Sequence, residues 1–153
     1  MPEHQNHLWI QADRPGLYRG QCAEYCGTQH AHMAFYVVAL PEEEFDQWVA
    51  NRREARAEPA AEELSHGQQV FVASGCGACH GITDLSKATE TGPDLTHLGS
   101  RLTLGAGTIA NTQENLGAFI RDPHQFKPGL LMPATSIQPD DLDALVAYLM
   151  SLE

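Results

Sequence analysis

The chain has 153 residues, enough for one domain of about 100 residues and a piece of another. Its 9 basic and 20 acidic residues give a net charge of -11, which disfavours nucleic acid as a partner and would attract a basic protein. No run approaches the eighteen or so apolar residues of a membrane helix, and the chain opens without an apolar signal region. We therefore expect the chain as written to be soluble.

The first elements are predicted to be strands. His7 to Ala12 is β-prone, and the turn signal Arg14-Pro15-Gly16 follows it, so we expect a hairpin there. Ala34 to Leu40 is a short apolar run rich in β-branched and aromatic residues, which predicts a buried strand. The segment before this strand is therefore predicted to be a loop that joins two strands.

This loop carries sulfur and imidazole side chains at three- and four-residue steps: Cys22, Cys26, His30 and Met33. Two soft thiolates with an imidazole and a thioether suit copper rather than calcium or magnesium, which prefer oxygen ligands. The alternative is a Cys22–Cys26 disulfide in a chain that never binds metal.

A helix is predicted from Pro41 to Arg56, with acidic residues in its first turn and arginines in its last. Phe45, Trp48 and Val49 recur at helical spacing, so we expect them to pack against the preceding strand, with Trp48 in the core. Residues 57–63 are small, acidic and contain a proline, which indicates a linker. The predicted domains are 1–56 and 64–153.

The second half contains a haem-attachment motif. A helix from Glu62 to Ser74 is predicted to stop at Gly75, and Cys76, Cys79 and His80 follow at the spacing that binds a c-type haem. The two thiols form thioethers with the porphyrin, and the imidazole supplies an iron ligand. A redox Cys-x-x-Cys pair or half a zinc site is the alternative. Because such haem is attached outside the cytosol, we expect an exported protein whose export signal is missing from this sequence, which suggests a fragment.

Further helices are predicted after a glycine-rich stretch, residues 91–107, which we expect to wrap closely round the flat cofactor. One begins at Asn111, where Asn111 and Glu114 have the spacing of a capping box, and ends at Pro123. The last begins at Pro139 and is strongly amphipathic.

The loop from Gln21 to Met33 resembles the dinuclear CuA loop of cytochrome c oxidase subunit II, a family with a cupredoxin β-barrel. The resemblance implies that Cys22 and Cys26 bridge two copper ions, that His30 and Met33 are terminal ligands, and that Glu24 contributes its backbone carbonyl. The family also has a second histidine on an earlier strand, which this chain starts too late to contain. We therefore expect the copper centre to be incomplete here.

The second half resembles a small all-α, class I cytochrome c domain. The resemblance implies that Met132, in the loop Gly129 to Pro133, is the sixth iron ligand, with His97 as its rival. It also implies that the carbonyl of Pro93 accepts the imidazole N–H of His80, and that Arg101 contacts a haem propionate. Gly67 and Phe71 match the family's contact between its first helix and an aromatic on its last helix, here Tyr148.

The fold class implied is β plus α in two domains, a partial cupredoxin-like β domain followed by the cytochrome c domain. This order is similar to oxidase subunit II proteins with a fused cytochrome c domain, without the membrane hairpin. The resemblance implies one-electron transfer from a donor, a basic cytochrome c or a membrane complex, through haem c and CuA to the catalytic subunit I, on the periplasmic face of the membrane. A stand-alone mono-haem carrier with a vestigial copper domain is the alternative. Nitrous oxide reductase and a haem-based gas sensor are more distant ones.

Overall fold

The computed structural model describes residues 7–53, 61–87 and 91–153. These residues fall into two compact units. One unit takes in residues 7–20 and 36–53, and the other takes in residues 21–35, 61–87 and 91–153. Residues 54–60 lie outside the described residues, and they include the end of the predicted first helix and residues 57–60 of the predicted linker. The last two linker residues, Glu62 and Glu63, lie in a helix.

Two strands flank the loop that carries Cys22, Cys26, His30 and Met33. Strand β1 (Gly16–Gln21) pairs with strand β2 (Ala34–Ala39) in a two-stranded sheet. The prediction that the loop joins two strands is therefore confirmed. The prediction that β2 is buried is largely wrong, because Ala34 is buried whereas Phe35 and Val38 are exposed.

The strand predicted at His7 to Ala12 is wrong. These residues have no regular secondary structure, and the Trp9 side chain is 98% exposed. β-propensity reflects packing on a half-buried, pleated surface. Within the described part of the chain nothing covers this segment, so its propensity is not realised.

Helix α1 (Glu42–Arg53) follows β2, with three glutamates in its first turn and two arginines in its last, as predicted. None of its described residues is buried. The prediction that Trp48 lies in the core is wrong, because the side chain is 46% exposed. Trp48 instead stacks on Phe45 with ring centroids 5.9 Å apart, and the Arg52 guanidinium lies 5.2 Å from its ring centre. This surface cluster is stabilised by stacking and cation–π attraction.

The core of the second unit forms where helix α2 (Glu62–Ala73) crosses the last helix. Gly67 allows this close approach, since a Cβ there would lie 2.1 Å from the Ala144 carbonyl oxygen and 2.6 Å from Tyr148 Cβ. The rings of Phe71 and Tyr148 pack at 6.4 Å. The predicted contact between Gly67 and Phe71 on α2 and Tyr148 on the last helix is confirmed.

The described helices are too short or too polar for any of them to span a lipid bilayer.

A short hairpin interrupts the glycine-rich stretch. Strand β3 (Thr103–Leu104) pairs antiparallel with strand β4 (Ile109–Ala110). The turn between them has φ of +59° at Gly105, +57° at Ala106 and +79° at Gly107. Glycine adopts such angles without strain. This hairpin was not predicted, and the tight turn accounts for the two glycines.

Helix α3 (Gln113–Arg121) begins two residues later than predicted. Its N-cap is Thr112, whose side-chain oxygen accepts a hydrogen bond from the Asn115 backbone N–H. The predicted capping box of Asn111 and Glu114 is wrong, because the Asn111 amide donates instead to the carbonyls of Leu98 and Arg101.

Helix α4 (Pro139–Met150) begins at its predicted proline. Its apolar stripe is buried as predicted, since proline fixes the first turn and the leucines recur on one face. The buried side chains of this stripe are Leu142, Leu145, Val146, Leu149 and, just beyond the helix, Leu152.

Candidate functional site

The haem-attachment motif begins where α2 ends. Gly75 takes a left-handed conformation, with φ of +73°, and Cys76–Ala78 forms a single 3-10 turn. Cys76 and Cys79 form no disulfide and are half-buried. Burial raises the pKa of the Cys76 thiol above its ordinary value. The turn presents both thiols and the following histidine within one short segment.

A backbone carbonyl group, that of Pro93, orients the imidazole of His80. Its Nδ1 lies 2.8 Å from the carbonyl oxygen of Pro93. A carbonyl oxygen only accepts, so Nδ1 carries the proton and Nε2 is left with a lone pair for a metal. Gly92 makes this contact possible, since a Cβ there would lie 2.8 Å from both the Cys79 carbonyl oxygen and His80 Cε1.

The thioether expected opposite His80 belongs to Met132, which is half-buried and packs against the core of the second unit. Met150, in α4, packs against the same core. The rival ligand His97 has its Nδ1 2.9 Å from the carbonyl oxygen of Glu153, next to the end of α4. The guanidinium of Arg101 donates to the backbone carbonyl of Asp94, beside Pro93.

These residues fit a covalent haem by the chemistry of their side chains. The motif offers two thiols that are not in a disulfide for thioether bonds, and an imidazole whose tautomer leaves Nε2 available. Met132 offers a soft thioether in the loop before α4. The residues present therefore match what a c-type haem requires.

The second site is a cluster of sulfur and imidazole groups in the loop between β1 and β2. The Cys22 and Cys26 sulfurs are 3.6 Å apart, which is not a disulfide, and both cysteines are free. Cys26 Sγ lies 3.9 Å from His30 Nδ1 and 3.7 Å from the Met33 sulfur. The Cys22 thiol lies 3.3 Å from the backbone carbonyl of Glu24. All five residues named by the resemblance are therefore brought together.

The donor set of this cluster fits a soft or borderline metal such as copper. Hydrogen bonding with Cys22 raises the pKa of the Cys26 thiol above its ordinary value. Within residues 7–53, 61–87 and 91–153, the group of ligand atoms lying within 4.8 Å of one another contains one imidazole, that of His30.

Sequence reasoning missed Lys127 beside this cluster. Its side chain is 4% exposed, and its ammonium lies 2.9 Å from the Gly105 carbonyl oxygen and 3.4 Å from the His32 carbonyl oxygen. The sequence Phe126-Lys127-Pro128 carries no ligand spacing, and a lone lysine is usually exposed. Its position depends on contacts between distant segments.

Comparison with protein families matches two of them to different parts of the chain. The cytochrome c model matches residues 64–153, and the model described as cytochrome c oxidase subunit II, periplasmic domain, matches residues 1–40. Together with the small sheets and helices of the described residues, these matches confirm the predicted fold class.

Curated relatives match along nearly the whole chain. The cytochrome c oxidase subunit 2 of Alkalihalophilus pseudofirmus is 41% identical over 154 residues, which cover 100% of this chain and 44% of the relative. That of Bacillus sp. strain PS3 is 36% identical over 166 residues, covering 99% of this chain and 45% of the relative. The chain thus spans less than half the length of these relatives.

A solved structure, the c-type cytochrome SorU from Sinorhizobium meliloti, is similar at 21% identity and a TM-score of 0.42, covering 60% of this chain and 91% of that one.

The chain belongs to the cytochrome c family, whose model matches more than half of it. Its predicted resemblance to cytochrome c oxidase subunit II with a fused cytochrome c domain is confirmed by the family and relative matches.

Proposed function

We propose that this chain transfers single electrons as the electron-entry part of a cytochrome c oxidase, passing them from a donor toward the oxygen-reducing catalytic subunit I. The relatives named cytochrome c oxidase subunit 2 support this reading. Haem c and the copper centre, when bound, each alternate between two oxidation states and so carry one electron at a time. No oxygen chemistry is assigned to this chain.

The observation that carries the proposal is the orientation of His80. Its Nδ1–H donates to the Pro93 carbonyl at 2.8 Å, which fixes the tautomer and increases the basicity of Nε2 toward iron. We assign covalent haem attachment to Cys76 and Cys79, and His80 and Met132 would be the ligands of its iron. Ligation by a thioether together with an imidazole would raise the reduction potential, as suits an electron carrier.

We assign copper binding to the loop cluster. Cys22 and Cys26 would bridge, His30 and Met33 would be terminal ligands, and the Glu24 carbonyl would be a weaker one. Their mutual approach, with the two thiols 3.6 Å apart, supports this assignment. Arg101, whose guanidinium already bonds the backbone beside Pro93, is assigned to a haem propionate.

The partners follow from charge and from the family. The net charge of -11 favours a basic cytochrome c as donor, and a membrane complex is the other donor class. The match to a periplasmic domain supports a site of action on the extracytoplasmic face of the membrane.

A matched pair of methionine variants tests the haem ligands. Met132→Leu and Met150→Leu each replace a half-buried thioether by an apolar group of similar volume, so packing changes little in either. We expect Met132→Leu to retain covalent haem, to lower the reduction potential and to let carbon monoxide bind the reduced protein. Met150→Leu should behave like the parent. Ready binding of carbon monoxide by the parent chain at neutral pH would contradict the assignment of Met132.

Copper titration of the 153-residue chain tests the second site. The family's dinuclear centre has a second terminal histidine, whereas the cluster in the described residues offers one imidazole. We therefore expect copper to bind, to be lost in Cys22→Ser and Cys26→Ser, and not to give the spin-resonance spectrum of one electron shared equally by two coppers. That spectrum at two coppers per chain would refute the incomplete centre. Copper that stays bound in both serine variants would refute the site.

A further inference from the structure

A buried lysine lies between the copper-ligand loop and the cytochrome c domain. The Lys127 side chain is 4% exposed, although lysine is rarely so buried without a partner. Its ammonium donates to the Gly105 carbonyl oxygen at 2.9 Å and to the His32 carbonyl oxygen at 3.4 Å. One cation thus joins the turn of the β3–β4 hairpin to the backbone of the ligand loop.

The path of the lysine side chain is fixed on both sides. A Cβ at Gly105 would lie 3.0 Å from Lys127 Cδ and 3.2 Å from the Phe119 ring, so the lysine stem passes close over the glycine. The Lys127 backbone N–H donates to the Pro123 carbonyl oxygen at 2.9 Å. Because the stem and the backbone are both held, the ammonium has little freedom to leave its two carbonyls.

Other hydrogen bonds meet on the same surface. The Ala34 N–H donates to the Ala106 carbonyl oxygen at 2.8 Å. The Gln29 side-chain amide donates to the Pro128 carbonyl oxygen at 2.8 Å. The Thr108 hydroxyl lies 3.4 Å from the carbonyl oxygen that Lys127 also approaches. The ligand loop therefore rests on the hairpin turn and on the segment that leads to Met132.

Burial and a nearby sulfur act on the pKa of the Lys127 ammonium in opposite directions. Burial lowers the pKa of Lys127, while the nearby Cys26 sulfur acts in the opposite direction.

We propose that Lys127 is a positioning residue that fastens the ligand loop, residues 22–33, to the β3–β4 hairpin of the cytochrome c domain. The loop's role as a copper site rests on the proposed function. The fastening itself concerns the polypeptide alone. It keeps the loop cluster and the segment that carries Met132 in one fixed relation.

The chain contains two lysines, which provides an internal comparison. Lys87 is exposed, whereas Lys127 is buried. We expect an amine-acetylating reagent, applied to the purified full chain and read by mass spectrometry, to modify Lys127 at least about tenfold more slowly than Lys87, because the loop must open first. Equal rates would overturn the proposal, since the lysine would not be held.

Amide hydrogen exchange separates positioning from general stability. In Lys127→Met, which keeps the apolar stem but removes the ammonium, we expect the Ala34 amide to exchange about tenfold faster or more, because a charge-assisted contact is lost. Amides of α4 should be unchanged. Lys127→Arg should restore part of the protection, and Lys87→Met should have no effect.

Uniformly faster exchange across the chain, or unchanged exchange at Ala34, would overturn the positioning role. If Lys127→Met does not fold, the acetylation rates of the parent chain still decide the question. Neither measurement involves copper, so a chain that binds no copper would refute the copper assignment of the proposed function and leave this inference standing.

Discussion

The crossing of α2 and α4 predicts that Gly67→Ala destabilises the cytochrome c domain. In a helix interior, alanine is ordinarily favoured over glycine by about 1 kcal/mol. Here the added Cβ would lie 2.1 Å from the Ala144 carbonyl oxygen and 2.7 Å from the Ala144 carbonyl carbon. Both are backbone atoms, so no side-chain rotation relieves the contact.

The cost follows from the distance that the helices must move. Carbon and carbonyl oxygen approach normally to about 3.3 Å, so the backbones must separate by about 1 Å. A gap of that size forfeits about a quarter to a half of the dispersion energy of the packed atoms. The fully buried rings of Phe71 and Tyr148 lie at this crossing. We estimate a packing cost of about 3 kcal/mol and, after the helix-propensity gain, a net loss of about 2 kcal/mol.

The free energy of unfolding is measured by guanidinium unfolding of the haem-loaded protein, followed by far-UV circular dichroism. A thermal scan of the same protein is the second measurement. In that scan, a net loss of about 2 kcal/mol corresponds to a melting temperature lower by roughly 8 to 16 °C for a domain of this size. Gly117→Ala in α3 is the matched control, because its Cβ would lie 3.5 Å from Val146 Cγ2, an ordinary contact. We expect the control to be neutral or to gain up to about 1 kcal/mol.

Equal stabilities for the two variants would refute the reasoning, because propensity alone predicts the same gain in both. A Gly67→Ala protein more stable than the parent would show that the helices do not cross this closely. A loss in both variants would point to the alanine substitution itself rather than to the crossing.

Two further predictions concern the α3 cap and the donor. Thr112→Ala should lower the free energy of unfolding by about 1 kcal/mol, because Thr112 is the N-cap of α3. Glu114→Gln should change it by less than about 0.5 kcal/mol, because Glu114 is not part of a capping box. Equal losses in the same denaturation assay would show that Glu114 does take part in capping. Reduction of the haem-loaded chain by a basic cytochrome c should slow on the order of tenfold as salt rises, because attraction by a net charge of -11 is screened over about 10 Å at 0.1 M. A stopped-flow rate that is indifferent to salt would exclude electrostatic docking.

Short-range patterns predicted the elements that depend on neighbouring residues. The helical spacing of leucines and the proline at position 139 were enough to locate the start of α4 to the residue. Recognising the attachment motif required no tertiary information, because Cys76, Cys79 and His80 lie close together in the sequence. The loop cluster was likewise predicted, since three- and four-residue steps can return to the same place within a loop.

The misses involve contacts between distant segments. His7 to Ala12 has the composition of a strand, but no described segment covers it. Trp48 has helical spacing with Phe45, yet the pair stacks on the surface. The cap of α3 shifted by one residue because the Asn111 side chain is engaged with carbonyls ten or more positions away. Lys127 is buried by a loop that lies far earlier in the chain. None of these contacts leaves a local signal.

The packing of α2 on α4 and the geometry of the attachment motif are coupled through the chain. α2 ends at Ala73, and its last carbonyls receive the N–H groups of Ser74 and Gly75 before the motif starts. The His80 N–H then donates to the Cys76 carbonyl oxygen at 3.0 Å, so the start of the motif is set by α2. The imidazole of His80 is held by the Pro93 carbonyl oxygen. Two residues after Pro93, the Leu95 N–H donates to the Gly81 carbonyl oxygen at 2.7 Å.

Two backbone segments therefore hold one imidazole, and they are bonded to each other: the Gly92 N–H donates to the Cys79 carbonyl oxygen at 3.0 Å, and the Leu95 N–H donates to the Gly81 carbonyl oxygen. If Gly67→Ala displaces α2 by about 1 Å from α4, we expect the Pro93 carbonyl to follow the motif and its 2.8 Å hydrogen bond with His80 to persist. The variant should then lose stability while its folded fraction keeps the haem spectrum of the parent. A changed haem spectrum in the folded fraction would show that Pro93 does not follow the motif.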